Sequence, residues 1–247
     1  MPLETPDFIV FDLMETLVTR LTGTDPYWKE LGAILDTRGL AKASSFDAAY
    51  QRWRSDRTRL EPYKEITLQQ RLALVLPELR PAEIEDVAAA YMETYIQRSL
   101  PLNGAKAMLR EWKGRCGLGV ISNFFVAGAP QKILERHGMS DCFEFILDSA
   151  QVGYRKPATQ IFELGLNNSF PRRENRGRIL MIGDDWEADV VGATKAGITA
   201  IFFSSRRSSH ESVFCMSDWN EFRPGSSLVK SVLADSERRN QGLIARS

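Results

Sequence analysis

The fold is decided by the stretch Phe8-Ile9-Val10-Phe11-Asp12-Leu13-Met14-Glu15-Thr16-Leu17, in which an apolar run ends abruptly on a carboxylate. Consecutive apolar side chains before Asp12 are typical of a short strand that is buried on both faces of a parallel sheet. In open parallel sheets, ligands bind beyond the carboxyl ends of the strands, and Asp12 lies at such an end. The stretch therefore predicts a buried strand that presents a carboxylate to a ligand crevice.

Further apolar runs, separated by helical patterns, extend the same sheet towards the C-terminus. They predict strands at 118–121, 143–147, 178–182, 199–203 and 214–216. Helices are predicted between them at 105–113, 130–137, 158–166 and 187–196. Strands that alternate with helices of this length form parallel sheets covered on both faces. The predicted fold class is therefore α/β, with a doubly wound, Rossmann-like parallel-sheet core.

The residues between 18 and 100 differ from this alternating pattern. They show amphipathic helical periodicity, few glycines and almost no strand-like run, which predicts an all-helical insert. We therefore expect an α/β core made of residues 1–17 and 101–247, interrupted by a helical domain at 18–100. Residues 236–247 are polar and are predicted to form a flexible tail of the core.

Composition excludes several classes of protein. Lys plus Arg and Asp plus Glu each number 32, so no global field favours nucleic acid or an anionic membrane. Three scattered cysteines and two histidines favour neither a disulfide framework nor a zinc site. No apolar run approaches the roughly 18 residues of a membrane span. We expect a cytoplasmic monomer or homodimer that binds a small molecule, with no nucleic-acid or membrane partner.

Polar residues follow the other predicted strands as Asp12 follows the first. Ser122 and Asn123 follow one strand, Asp184 and Asp185 follow another, and Lys156 precedes a helix. Clustered carboxylates repel one another and persist where an ammonium group or a divalent cation compensates them. Hard oxygen ligands select Mg²⁺. These residues predict a magnesium site at which Asp12 attacks an anionic substrate, with its charge balanced by Lys156.

The chain resembles the haloacid dehalogenase-like hydrolase superfamily in four motifs that follow one another in the family's order and spacing. They are Phe11-Asp12-x-x-x-Thr16-Leu17, Val120-Ile121-Ser122-Asn123, Val152-Gly153-Tyr154-Arg155-Lys156-Pro157, and Ile182-Gly183-Asp184-Asp185 followed by Asp189. The resemblance covers residues 6 to about 203. It implies a doubly wound core with a helical cap inserted after the first strand, and each motif alone would be a weak signal.

The resemblance also implies a role for each motif residue. Asp12 is the implied nucleophile, which forms an aspartyl-phosphate. The implied Mg²⁺ ligands are Asp12, Asp184 and the backbone carbonyl of Met14. Anionic substrate is expected to contact Ser122, Asn123 and Lys156, the last of which also balances the charge of Asp12. Supporting roles are expected for Thr16, Asp185 and Asp189, which would complete the metal surroundings or position Lys156.

Met14 departs from the family pattern, and Glu15 stands where the family usually has glycine. In the phosphatase branch, position 14 carries an Asp that protonates the leaving group, and such catalysis contributes ~10²–10⁴-fold in rate. We therefore expect Mg²⁺-dependent hydrolysis of a small phosphate monoester with low or unusual activity, fastest for good leaving groups. Two alternatives stay open: a 2-haloacid dehalogenase, whose halide needs no proton, and a non-catalytic regulatory protein that binds metal and anion.

The insert also contains side chains that could reach the site. Arginines 52, 54, 57 and 59 lie at helical spacing, which is typical of a solvated, salt-bridged helix face. Tyr27 and Trp28 are equally plausible contacts of a substrate. The sequence does not choose among them.

Overall fold

The computed structural model describes residues 5–21, 26–169, 178–204 and 213–244. In chain order, its strands are β1 (Phe8–Phe11), β2 (Val18–Arg20), β3 (Ser99–Pro101), β4 (Gly117–Ser122), β5 (Phe145–Asp148), β6 (Ile179–Gly183), β7 (Thr199–Phe203) and β8 (Phe214–Met216). Its α-helices are α1 (Tyr27–Thr37), α2 (Ala43–Leu60), α3 (Leu68–Val75), α4 (Pro81–Gln97), α5 (Ala105–Trp112), α6 (Ala129–Arg136), α7 (Ser149–Val152), α8 (Thr159–Ser169), α9 (Gly192–Lys195) and α10 (Ser227–Ile244).

Six strands form one parallel sheet in the order β5-β4-β1-β6-β7-β8. The order runs outward from β1 in both directions, so the chain reverses its winding there, and a crevice opens at the carboxyl ends of β1, β4 and β6. Alternate residues of β1 enter different apolar clusters: Ile9 and Phe11 face one side, and Phe8 and Val10 the other. The predicted doubly wound α/β core is confirmed.

The helix predicted at 187–196 has two parts in the structure. Trp186–Val191 forms a π-helical turn, and α9 continues it from Gly192 to Lys195. The Asp185 carboxylate accepts a hydrogen bond from the backbone N–H of Ala188 at 2.9 Å, which caps the start of this turn. The strand predicted at 143–147 begins at Phe145 and includes Asp148.

The insert contains α1 to α4 and also a short antiparallel ladder that the sequence did not predict. Strands β2 and β3 pair from Val18 opposite Pro101 to Arg20 opposite Ser99. The expectation of almost no strand was therefore wrong at 18–20 and 99–101. Three residues carry too little pattern to be recognised, and the pairing arises because the chain enters and leaves the insert at one place. The division into two domains at these positions stays a prediction.

The C-terminal segment also differs from the prediction. The segment 236–247, which the sequence predicts as a flexible tail, is helical as far as residue 244, where α10 ends, and 245–247 lie outside the described residues. The helix is anchored by buried Val229, Val232 and Leu233 in its first half. Ser236, which is also buried, accepts a hydrogen bond from Thr199 of β7 at 3.2 Å. Among the described helices, none is both long and apolar enough to cross a bilayer.

Candidate active site

Asp12 is placed by the end of β1 and by a tight loop behind it. Its backbone N–H donates to the carbonyl of Ile182 on β6 at 2.8 Å, and the residue is 8% exposed. The chain then turns back sharply, with the N–H of Leu17 bonded to the carbonyl of Leu13 at 2.9 Å. This turn requires Glu15 to adopt φ of 56°, the left-handed region that favours glycine. The Glu15 carboxylate accepts from Thr19 on the exposed side of the loop.

Lys156 connects two of the predicted carboxylates. Its Nζ donates to Oδ1 of Asp12, to Oδ1 of Asp189 and to the carbonyl of Ile121, each at 2.6 Å. The side chain is 1% exposed, and all three ammonium hydrogens therefore have an acceptor. Burial alone would lower the pKa of Lys156, but the carboxylates of Asp12 and Asp189 outweigh it and raise this pKa. The ammonium is a permanent cation beside Asp12.

Asn123 holds the backbone of Lys156 from both sides. Its Nδ2 donates to the Lys156 carbonyl at 2.9 Å, and its Oδ1 accepts from the Lys156 N–H at 2.7 Å. The amide therefore positions the lysine, which the sequence did not predict, while its predicted contact with substrate stays a prediction. Ser122 ends β4 beside Asn123 and is 2% exposed. Its predicted role as an anion contact also stays a prediction.

A group of three carboxylates meets at the ends of β1 and β6. One oxygen from each of Asp12, Asp184 and Asp189 lies within 4.8 Å of the others. Asp189 is fully engaged, because Oδ1 accepts from Lys156 and Oδ2 accepts from the N–H of Asp185 at 3.0 Å. Thr16 points its hydroxyl at Oδ1 of Asp184, at a long 3.4 Å. The side chain of Asp185 is occupied by its helix cap and does not join the group.

The electrostatics of this group favour a divalent cation. Burial, reinforced by the neighbouring Asp189, raises the pKa of Asp184 to about 6. Burial also raises the pKa of Asp189 to about 6, although the Lys156 ammonium opposes it, and burial raises the pKa of Asp12. Three ionised carboxylates and one ammonium leave two uncompensated negative charges. Hard oxygen donors with that charge fit Mg²⁺, with Asp12 and Asp184 the better placed ligands because Asp189 is engaged.

Met14, two residues beyond Asp12, lies where the insert faces the core. It lines a cavity of about 330 Å³ together with Asn123, Phe125 and residues of the insert. Arg71 is the most buried cation of this cavity, at 6% exposure, and its guanidinium lies 4.2 Å from the centre of the Phe125 ring. Asn123, which holds the backbone of Lys156, and Met14, two residues beyond Asp12, both line this cavity, so it adjoins the residues around Asp12.

A family model described as hydrolase, haloacid dehalogenase-like hydrolase, matches residues 6–197, well over half of the chain. The chain belongs to the haloacid dehalogenase-like hydrolase family. This finding confirms the resemblance seen in the sequence. The solved structures agree in fold, since a 2-haloacid dehalogenase from Pseudomonas syringae pv. Tomato DC3000 gives a TM-score of 0.66 at 19% identity, covering 94% of this chain and 99% of that one. Identity this low shows a shared fold alone.

Curated relatives within the family match shorter stretches. Pyrimidine 5'-nucleotidase YjjG of Escherichia coli (strain K12) is 33% identical over 116 residues, which are 47% of this chain and 50% of the relative. Ribulose-1,5-bisphosphate 5-phosphatase of Halopiger xanaduensis is 30% identical over 132 residues, or 53% of each chain. The matched part of this haloacid dehalogenase-like hydrolase therefore spans about half the length of these curated relatives.

Sequence patterns in this haloacid dehalogenase-like hydrolase did not identify which cationic residues line the cavity. Arg71 sits between buried Leu68 and Leu72 on α3, and a charged residue among apolar positions of a helix was the available signal. Arg54 is exposed, as predicted for a solvated helix face, and it also lines the cavity. Arg155 precedes Lys156 in its motif, which gives this arginine no predicted role of its own. Their convergence depends on how the insert lies over the core, which no local pattern encodes.

Proposed function

We propose that this chain is a Mg²⁺-dependent hydrolase of phosphate monoesters, which acts on a small phosphorylated metabolite through an aspartyl-phosphate on Asp12. The observation that carries the proposal is the Lys156 ammonium, held at 2.6 Å from both Asp12 and Asp189 beside the further carboxylate of Asp184. A nucleophile that is already compensated can approach an anionic phosphoryl group. The names of the two matched relatives, a pyrimidine 5'-nucleotidase and a ribulose-1,5-bisphosphate 5-phosphatase, support phosphoryl chemistry.

Each step of the proposed reaction uses residues of the crevice. A carboxylate oxygen of Asp12 attacks phosphorus, and the bond from phosphorus to the leaving oxygen breaks with its electron pair. During this step, Ser122 and the Lys156 ammonium lie beside the phosphoryl oxygens and offset their negative charge. Water then attacks the phosphorus of the aspartyl-phosphate, which releases inorganic phosphate and restores the Asp12 carboxylate.

Magnesium would be held by Asp12, Asp184 and the backbone carbonyl of Met14. When bound, it supplies positive charge that offsets the carboxylates and the phosphoryl oxygens. The side chain of Met14 does not enter this assignment, because a backbone carbonyl is present whatever the side chain. Asp189 and Asp185 are proposed to position Lys156 and the π-helical turn rather than to bind the ion.

Met14 limits the substrates on which the proposed reaction is fast. A thioether cannot donate a proton, so an alkoxide would leave without help at position 14. The leaving groups of aryl and acyl phosphates depart as stable anions. The missing proton donor therefore slows hydrolysis of these substrates only a little. We therefore propose low activity on simple alkyl phosphates and higher activity on activated ones.

Met14 also favours a second candidate, a 2-haloacid dehalogenase that forms an aspartyl ester on Asp12. A halide leaves as an anion and needs no proton, so the thioether is no handicap there. The group formed by Asp12, Asp184 and Asp189 weighs against it, because displacing a halide from carbon needs no divalent cation. A non-catalytic protein that binds metal and anion is the third candidate, and Met14 is the one observation that favours it.

The proposal is tested by measuring phosphate release from phenyl phosphate, acetyl phosphate and glycerol phosphate, with Mg²⁺ and with excess chelator. We expect release from the first two, its loss with chelator, and its loss in Asp12→Asn. Asp36→Asn is the matched control, since Asp36 is exposed on α1. Phosphate release that persists in Asp12→Asn would overturn the proposal, and so would halide release from 2-haloacids without phosphate release.

A further inference from the structure

The cavity beside Met14 is the inner part of a longer space between the insert and the core. A second cavity of about 270 Å³ adjoins it and shares Arg54, Arg71 and Arg155 with the inner one. The outer cavity adds Arg57 and Lys64, so cations outnumber carboxylates along the whole space. This concentration of positive charge is local, because the chain as a whole has a formal net charge of +0.

Most of these cations already have partners within the protein. Arg71 donates to Glu65 at 2.6 Å and to the hydroxyls of Tyr27 and Tyr50, at 3.1 and 2.9 Å. Arg57 and Lys64 both contact Glu61, at 3.2 and 3.0 Å. Because Glu65 and Glu61 already compensate these cations, they require no anionic ligand and form part of the wall of the space.

Arg54 and Arg155 are different. Within the described part of the chain, neither guanidinium has a carboxylate within 4.0 Å, although both line the inner and the outer cavity. Arg54 lies over the face of Trp28, with 5.0 Å from its guanidinium carbon to the ring centre, which fixes its position without neutralising it. Arg155 directly precedes Lys156 and is tied to the insert through its N–H, which donates to the Tyr63 carbonyl at 2.9 Å.

Tyr91 gives a second, independent sign of a ligand. It lines the inner cavity and is 0% exposed, and its hydroxyl has no hydrogen-bond partner among the described residues. A buried hydroxyl without a partner costs free energy, so such groups generally meet a ligand or an ordered water. The inner cavity therefore combines an unused hydroxyl with two uncompensated guanidinium groups.

We propose that this space holds the leaving group of the substrate and that Arg54 and Arg155 bind a second anionic group on it, a carboxylate or a phosphate. The inference rests on the proposed hydrolysis at Asp12 and adds the substrate class, a phosphate monoester that carries a second anion. Guanidinium groups suit both anions because their paired N–H groups match two oxygens at once. The Tyr91 hydroxyl is the contact for an oxygen nearer to the ester.

Matched probes test the charge requirement while keeping a good leaving group. They are 4-carboxyphenyl, 4-phosphonophenyl and 4-carbamoylphenyl phosphate, of which the carbamoyl probe has the shape of the carboxylate without its charge. We expect kcat/KM for either anionic probe to exceed that of the carbamoyl probe by about tenfold or more, since a charge-assisted contact is worth about one tenfold step in affinity. The larger of the two preferences identifies the second anion as carboxylate or phosphate.

Variants locate the preference. In the double variant Arg54→Gln, Arg155→Gln, the ratio of kcat/KM between anionic and carbamoyl probes should fall to near one. Arg52→Gln is the control, because Arg52 is exposed on the same helix and lines neither cavity, so it should keep the wild-type ratio. A ratio near one in the wild-type protein, or a ratio unchanged in the double variant, would overturn the proposal.

Binding separates this inference from the proposed hydrolysis. The carboxyl and carbamoyl forms of benzylphosphonate cannot be hydrolysed, and calorimetry with Mg²⁺ measures their affinities directly. Absence of turnover together with tighter binding of the carboxyl form, lost in the double variant, would refute the hydrolase and support the anion site. Turnover together with equal affinities would support the hydrolase and refute the anion site.

Discussion

At the scale of single residues, the side chain at position 14 controls how a leaving group departs. Met14→Asp places a proton donor beside the leaving oxygen, so hydrolysis of glycerol phosphate should rise by ~10²-fold or more, while phenyl phosphate changes less. Met14→Asn is the matched control, because it has the shape of Asp and cannot transfer the proton. Steady-state phosphate release measures both. A rise in the Asn variant equal to that in the Asp variant would show that proton transfer is not the missing function.

Loss of the Lys156 ammonium should lower the stability of the folded protein. Lys156→Met keeps a side chain of similar length but leaves Asp12 and Asp189, whose side chains are 11% and 1% exposed, without their cation. Removing one partner of a buried ion pair typically costs about 3–5 kcal/mol of unfolding free energy. Urea denaturation near neutral pH measures the change. Lys113→Met, which removes an exposed pair with Asp141, is the control and should have no measurable effect.

At the scale of elements, the end of β6 is built around a glycine. A Cβ added at Gly183 would lie 2.2 Å from Oδ2 of Asp189, so Gly183→Ala must displace the carboxylate that positions Lys156. We expect a loss of about 1–3 kcal/mol in stability, as for other overpacked sites, and a loss of activity. Chemical denaturation and phosphate release measure the two effects.

Gly32→Ala provides the contrast to this change. Gly32 lies within α1, and an added Cβ would meet nothing closer than 3.4 Å, which is ordinary contact. Alanine is the better helix former by about 0.5–1 kcal/mol, so this variant should be as stable as the wild type or more so, with unchanged activity. If Gly32→Ala and Gly183→Ala changed stability and activity alike, the close approach of the added Cβ to Asp189 would not explain the effect at Gly183.

Elements with strong local patterns could be predicted from the sequence, and elements with weak patterns could not. Strands β1, β4, β6 and β7 are continuous apolar runs, and each is followed by polar or small residues that mark the crevice. Strands β2 and β3 have three residues each and form because the two connections of the insert meet. Helix α10 was mistaken for a tail beyond residue 235, since most of its apolar anchors lie in its first half.

The same distinction applies to the site. Asp12, Lys156 and Asp184 follow strands or begin helices, so their convergence follows from the parallel topology alone. The positioning role of Asn123 depends on hydrogen-bond geometry that a spacing of residues does not contain. Arg54 and Arg71 come from different helices of the insert, and only the packing of those helices brings them to one cavity.

At the scale of the whole molecule, stability and metal binding are linked through pH. Burial raises the pKa values of Asp184 and Asp189 to about 6 from the ordinary 3.8 of an aspartate. The folded, metal-free protein therefore binds these protons more tightly than the unfolded chain. Their contribution to stability is fully present below about pH 4 and is lost as the pH rises through about 6.

Mg²⁺ should restore the stability that is lost as the pH rises, because the cation replaces the protons on these carboxylates. We expect the increase in Tm caused by Mg²⁺ to be larger near pH 8 than near pH 5, with about 2–3 kcal/mol of stabilisation at roughly a hundredfold excess over Kd. Thermal unfolding scans at both pH values measure it. Asp184→Asn should abolish the effect and Asp185→Asn should retain it, and the reverse outcome would mean that the metal ligands are misassigned.

In the proposed reaction, water attacks phosphorus and never the Asp12 carboxyl carbon, and a single-turnover experiment in water labelled with heavy oxygen tests this most directly. Enzyme in excess is mixed with phenyl phosphate and Mg²⁺, and mass spectrometry locates the label in phosphate and in the peptide that contains Asp12. Because water attacks phosphorus in the proposed second step, the label should appear in the released phosphate, with none in Asp12. Label in the Asp12 carboxylate after one turnover would contradict the account, since it requires attack on the carboxyl carbon, as in an aspartyl ester.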